Sequence, residues 1–180
     1  MPDPSANQAL GRAIYAGDAA RVQEILAADR SLVRDFVTTE DLQRSWLNLA
    51  VKRGEPSVVE VMLDAGYDID VQLIPTGETP LHTAITHEKD AVVELLIARG
   101  ANPNLDRSLV AALNWKLPPE RRLRYVTLLL DQGADLNRLY DLYGDPGCRL
   151  AALDWTDDPA VIHLLRSRGA KNADELQTDN

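Results

Sequence analysis

The side chains of this 180-residue chain best able to move protons are three histidines, His82, His87 and His163, and two adjacent carboxylate pairs, Glu40-Asp41 and Asp157-Asp158. Glycoside-type acid–base hydrolysis needs two carboxyl groups opposed across the scissile bond, roughly 5–10 Å apart. Neighbours in sequence do not supply that opposition, so both pairs read as helix-start charges. The chain contains no His-Glu-x-x-His run, no glycine-rich phosphate loop and no calcium loop of regularly spaced acids. Asp154 and Asp157 are the carboxylates left for a hydrolase near the C-terminus, a remote reading. Cys148 is the single cysteine, which excludes an intramolecular disulfide or a thiolate metal cluster and suits a reducing compartment, with a small buried apolar role for the side chain. No catalytic residue, metal or cofactor is expected.

Charge narrows the partner. Acidic residues outnumber basic ones by 28 to 19, a net charge of −9, which repels nucleic-acid phosphates and favours encounter with a basic protein surface. Arg121, Arg122 and Arg124 make the one compact basic cluster, read as a solvated helix start. The first residues, Met1 to Asn7, show neither a basic leader nor an apolar run, and no window approaches the roughly 20 apolar residues of a membrane span. The expectation is a cytoplasmic protein that binds neither membrane nor nucleic acid.

The elements that would position any site follow from periodicity. With 45% hydrophobic residues, mostly Leu, Val, Ile and Ala, and one Phe, the chain favours close-packed helices over a β-sandwich. Leu81, Ala84 and Ile85 mark one short helix, and Val92, Val93, Leu95, Leu96 and Ile97 mark the next. Thr79 is placed to cap the first, with Pro80 at its first position, and Gly100 closes the second. The pattern recurs. The glycines of Ala65-Gly66, Arg99-Gly100-Ala101-Asn102-Pro103-Asn104, Gln132-Gly133-Ala134-Asp135-Leu136-Asn137 and Arg168-Gly169-Ala170 step by 34, 33 and 36 residues.

A period near 33 with Thr79-Pro80-Leu81-His82 as its signature resembles the ankyrin-repeat family over residues 8 to 173. That resemblance implies an all-α solenoid of about five pairs of antiparallel helices with projecting finger loops. It implies one repeat domain at 8–173, flanked by an N-terminal extension at 1–7 and a frayed acidic tail at 174–180. It also assigns His82 a structural role, hydrogen-bonded within its motif and to neighbouring loops. Ser45-Trp46-Leu47-Asn48 replaces that motif in the second repeat. The fourth repeat has a short finger and a connection enlarged by Pro118-Pro119, and the fifth follows an extended finger from Arg138 to Gly147.

In the family, the two residues after the core of each first helix usually face the groove where partners sit. Here they are Tyr15-Ala16, Lys52-Arg53, Thr86-His87, Asn114-Trp115 and Asp154-Trp155. The matched strings Ala112-Leu113-Asn114-Trp115 and Ala152-Leu153-Asp154-Trp155 put the two indoles in equivalent places, open to two roles: interface anchors, or packing over the irregular connections. Asp135 and Asn137 read as turn formers. Tyr140, Asp141 and Tyr143 exceed what the repeat requires and, with Asp154, suggest an acidic, aromatic C-terminal half of the groove.

The expected function is therefore non-enzymatic protein binding by a monomer. Small, acidic, stand-alone proteins of this family resemble the neutralising partners of bacterial toxin effectors, which implies that the groove covers a basic surface of one specific protein. The alternative is an adaptor or regulatory subunit that tethers its partner without inhibiting it.

Overall fold

Thr79 starts a helix as its hydroxyl allows. Its Oγ1 accepts the backbone N–H of His82 at 3.2 Å, and Pro80 sits at the first helical position, where a missing N–H costs nothing. Ser45 repeats the device one repeat earlier, accepting from the N–H of Asn48 at 3.3 Å. The computed structural model describes residues 4–33, 37–39, 42–74, 76–142 and 145–178. Glu40-Asp41, Tyr143 and the side chain of Cys148 lie outside what is described.

The chain divides into two compact units, Met1–Ala101 and Asn102–Asn180. The first carries three helix pairs: α1 (Pro4–Ala16) with α2 (Ala19–Ala28), α3 (Trp46–Arg53) with α4 (Pro56–Ala65), and α5 (Pro80–Thr86) with α6 (Asp90–Ala98). Leading helices pack in a row, α1 on α3 on α5, and following helices in a second row, α2 on α4 on α6. Leu10, Ile14, Val22, Leu47, Val51, Met62, Leu81, Ile85, Val92 and Leu96 fill the space between them. Each repeat thus covers the apolar face of the next. Trp46 joins this packing, its ring 3.0 Å from where a Cβ on Gly11 of α1 would lie.

Polar ties reinforce the stacking. The Tyr67 hydroxyl donates to the carbonyl of Leu32 at 2.7 Å, and Arg99 pairs with Glu60 at 2.6 Å and Asp64 at 2.7 Å. The Arg99 pairs are solvent-exposed and screened, so they add little to stability. An antiparallel hairpin, β1 (Val37–Thr39) with β2 (Leu42–Arg44), precedes α3 where only a finger loop was expected.

Gly100 has φ +85°, the left-handed value its place after α6 demands, and an added Cβ would meet nothing within 4 Å. The cost of a β-branched residue is therefore backbone strain alone, about 1–2 kcal/mol. Gly100→Val should lower the melting temperature by several degrees in thermal denaturation. An unchanged melt would mean that this cap is not left-handed in solution.

The second unit holds α7 (Ser108–Ala112), α8 (Pro119–Asp131), β3 (Tyr140–Leu142), β4 (Asp145–Leu150), a 3₁₀ turn (Ala152–Trp155), α9 (Pro159–Ser167) and α10 (Ala173–Thr178). Alpha-helix α8 packs on α7 and α9, and the 3₁₀ turn stands where a fifth leading helix was expected. The extended finger is an antiparallel β3–β4 hairpin with an irregularity between Asp141 and Leu142. Asn104 clasps the next turn, its amide donating to the carbonyl of Gly133 at 2.9 Å and its carbonyl accepting from the N–H of Asp135 at 2.8 Å. Asn137 repeats this on Gly169 and Lys171.

Three expectations are corrected. Helix α1 begins at Pro4, so residues 4–7 are helix and not extension. Arg122 is not a solvated helix start: it is 7% exposed, it donates to the carbonyl of Leu117 at 3.3 Å, and it faces Asp158 at 3.6 Å. The tail forms α10, because Asn172 and Glu175 make a reciprocal capping box: Asn172 Oδ1 accepts the N–H of Glu175 at 2.8 Å, and Glu175 Oε2 accepts that of Asn172 at 2.7 Å.

Arg166 also donates to Glu175 Oε2 at 2.7 Å, and this bond, then the Asn172 N–H, lowers the Glu175 pKa from its ordinary 4.5. A depressed carboxyl stabilises the folded state above its unfolded pKa, and that contribution disappears as pH falls through the lower folded value. The hydrogen-exchange protection of α10, taken relative to the intrinsic rate at each pH, should accordingly be highest at neutral pH and fall below pH 4.5, with Glu175→Gln removing the acid-dependent component. Protection of α10 that ignores both pH and the substitution would contradict this anchor.

Candidate functional site

In the first unit, four side chains singled out from sequence meet at one cavity. Tyr15 from α1, Lys52 and Arg53 from α3, and His87 at the end of α5 line a space of about 500 Å³, a size common for binding clefts. The row of leading helices places them there, since Tyr15 and Arg53 each fall in the last turn of their helix. Arg53 donates to the Tyr15 carbonyl at 3.2 Å and its guanidinium carbon lies 5.4 Å from the Tyr15 ring centre, a cation–π contact with both groups exposed.

His87 is oriented by backbone. Its Nδ1 lies 3.0 Å from the carbonyl of Thr83, which can only accept, so Nδ1 carries the proton in the neutral ring and Nε2 is left as acceptor. Thr86, also expected to contact a partner, directs its hydroxyl to the carbonyls of His82 and Thr83 at 3.0 and 3.2 Å.

Sequence reasoning missed the floor of this cavity. Asn48 and Thr83 line it along with Leu49, Leu73 and Glu78. The signal was available: Asn48 stands at the position of His82 in the degraded second copy of the motif. Lys52 and Arg53 outweigh Glu78 in the lining, so the cavity is not acidic.

Among the described residues of the second unit, the side chains expected to form an acidic, aromatic surface make contacts within the fold. Tyr140 is 6% exposed; burial pushes its phenol above its ordinary pKa of 10, against the opposing charge of Arg138, whose guanidinium carbon is 5.3 Å from the ring centre. Asp141 is held by Arg149 at 3.0 Å. Asp154 Oδ2 accepts the N–H groups of Ala151 at 2.8 Å and Ala173 at 3.0 Å, which commits it to the turn before α9 and the start of α10. Asn114 accepts the N–H of Lys116 at 3.0 Å and shapes a turn.

The two tryptophans are not equivalent. Trp115 is 76% exposed with the Lys116 ammonium 5.8 Å from its ring, whereas Trp155 is half-buried with its indole N–H enclosed and without a hydrogen-bond partner. Trp115 follows α7, while Trp155 closes a 3₁₀ turn behind the hairpin. Trp115→Ala should therefore leave the melt within about 0.5 kcal/mol of wild type, and Trp155→Ala should lower stability by about 2 kcal/mol or more. Equal losses in thermal denaturation would contradict the difference in burial.

Among the described residues, no three His, Cys, Asp or Glu side chains group as metal ligands, and no helix is long and apolar enough to cross a membrane. What the first unit offers is a row of stacked helix pairs with a cavity of mixed charged and apolar lining along the leading helices, the architecture of a repeat protein that binds by surface shape. A family model described as ankyrin repeats (3 copies) matches residues 3–107 and 47–140, and the chain belongs to the ankyrin-repeat family.

The similar proteins are larger. An ankyrin repeat protein of fowlpox virus is 24% identical over 132 residues, 69% of this chain and 19% of its own length. The ankyrin repeat, SAM and basic leucine zipper domain-containing protein 1 of Dasypus novemcinctus is 36% identical over 92 residues, 49% of this chain and 19% of its own. The transient receptor potential cation channel subfamily A member 1 of Homo sapiens is 26% identical over 135 residues, 73% of this chain and 12% of its own. The chain therefore spans at most about a fifth of these relatives. Ankyrin repeats are a protein–protein interaction module, generally without enzymatic activity.

Proposed function

We propose that the chain uses residues 8–173 as one repeat domain to hold a single partner protein through the cavity of the first unit, and that this binding neutralises the partner. The cavity is the observation that supports the reading: Tyr15, Lys52, Arg53 and His87 come from three successive repeats and surround one space of about 500 Å³. A net charge of −9 favours a partner with a basic surface outside the contact itself, met by a monomer in the cytoplasm. A toxin-like effector whose active site is covered by this chain and whose basic surface surrounds the contact fits that description.

The second reading, a tether that leaves its partner active, is favoured by the relatives, in which the matched stretch is a minor part of a larger chain. One assay separates the two. The partner captured by the wild-type chain is purified and its own activity measured with increasing amounts of the chain. Activity falling to zero at stoichiometric addition supports neutralisation; full activity in a stable complex supports the tether.

A further inference from the structure

The cavity of the first unit reverses the sign of the chain around it. The whole sequence carries −9, yet with His87 neutral the lining holds two cations, Lys52 and Arg53, against the single carboxylate of Glu78. At physiological salt, exposed charges more than about 8 Å apart are largely screened, so a group inside the cavity responds to these three side chains and not to the net charge. Both cations are exposed, which opens their heads to an incoming group. Arg53 spends one N–H on the Tyr15 carbonyl and one face on the Tyr15 ring, and among the described residues it has no other acceptor; Lys52 has none. The stacking holds the guanidinium fork in place before anything binds. The walls are apolar: Leu49 and Leu73 are half-buried in the lining beside Tyr15, and Ile74, next in the same finger, is 60% exposed.

We infer that this cavity receives an acidic side chain flanked by apolar ones, an Asp or Glu on an exposed segment of the partner; the inference rests on the protein-binding reading above. Charge chooses the group. One carboxylate matches the surplus of one positive charge and accepts from both the Arg53 fork and the Lys52 ammonium. A dianionic phosphate would set a second negative charge against Glu78, a neutral amide gains nothing from the charge of either cation, and a Lys or Arg side chain is repelled by both. The apolar walls need carbon on either side of that carboxylate, which selects an acidic residue within an apolar segment over a free anion. The partner so described is basic at long range and acidic at the point of contact, so the first property speeds encounter and the second fixes register.

The test uses the full chain, labelled with ¹⁵N, and four blocked tripeptides, acetyl-Leu-X-Leu-amide with glutamate, glutamine, lysine or phosphoserine at X, at constant ionic strength. Each is titrated to about 20 mM, which reaches the weak affinity of so short a segment. The glutamate peptide is expected to shift the backbone signals of Arg53 and Leu73 saturably and to bind about fivefold tighter than each of the others. Lys52→Gln/Arg53→Gln should bring it down to the level of the glutamine peptide. Equal binding of glutamate and glutamine, tighter binding of lysine or phosphoserine, no saturable shift, or indifference to the double substitution would overturn the inference.

A second measurement uses the captured partner. Lys52→Gln should keep the wild-type melt, because the side chain is exposed, and bind more weakly, with Lys52→Glu weaker by about tenfold or worse. Affinity unchanged by Lys52→Glu, for a partner that Tyr15→Ala/Arg53→Ala loses, would sink the acidic segment alone. Absence of any partner would instead sink the protein-binding reading, and the tripeptides would still report on the cavity.

Discussion

Asp158→Ala should destabilise the second unit by about 4 kcal/mol, while Arg122→Met should be close to neutral. The asymmetry follows from where the two charges sit. Arg122 on α8 is nearly buried, its Nε is without a partner, and its remaining contacts are one carbonyl and the Asp158 carboxylate at 3.6 Å. Removing the carboxylate leaves a buried cation almost uncompensated, which typically costs 3–5 kcal/mol; the lower end applies here because the pair is long. Asp158 also caps α9, its Oδ1 accepting the N–H of Ala160 at 3.0 Å, and losing that cap adds roughly 1 kcal/mol to the damage.

Replacing the arginine by a flexible apolar residue removes the buried charge and leaves the cap in place. Asp158→Asn keeps a capping oxygen and loses only the charge, so it should fall between the two. Urea unfolding of the three variants checks the order. Equal losses for Asp158→Ala and Arg122→Met would mean that the pair stabilises as a bridge and not through the burial of one partner.

The second large effect is on binding. Tyr15→Ala with Arg53→Ala removes the stacked aromatic–guanidinium pair at the cavity rim, the type of group that dominates interface energies, and should weaken partner binding by more than about 2 kcal/mol. Stability should change little, because both side chains are exposed and neither fills the core. Titration calorimetry with the captured partner, beside a thermal melt of the double variant, separates the two effects. Wild-type affinity in the double variant would remove Tyr15 and Arg53 from the interface. A collapse of the melt would make them structural.

How far the sequence could be read depended on what carried the information. Helices α3 to α6 were legible because Leu47, Val51, Val58, Met62, Leu81 and Leu96 recur at helical spacing and Ser45, Thr79 and Gly100 mark the ends. The hairpin before α3 was not, since its short polar strands have no alternation to betray them. Helix α10 was readable but hidden: Asn172-x-x-Glu175 is a capping signal, and the acidic composition around it argued for a tail.

The candidate site divided in the same way. Tyr15, Lys52, Arg53 and His87 share a cavity because repeat register transfers from one pair of helices to the next where the pairs are regular. Register fails where the backbone changes. Trp155 has the same local string as Trp115 but ends a 3₁₀ turn, so its indole is enclosed where that of Trp115 is open. Tyr140 and Asp154 looked surplus to the repeat because their partners, Arg138 and the N–H groups of Ala151 and Ala173, depend on a hairpin and a helix that the repeat pattern does not contain.

The most direct measurement is photo-crosslinking in cells that naturally express the chain, with a benzophenone side chain placed at Lys52 on the cavity rim or at Gln23 on α2, beside a separate smaller cavity. Partner binding at the leading helices predicts one discrete protein adduct from position 52 that is absent from position 23 and lost in the Tyr15→Ala/Arg53→Ala background. The same adducts from both positions, or an adduct from position 23 alone, would contradict the placement of the partner in the first-unit cavity.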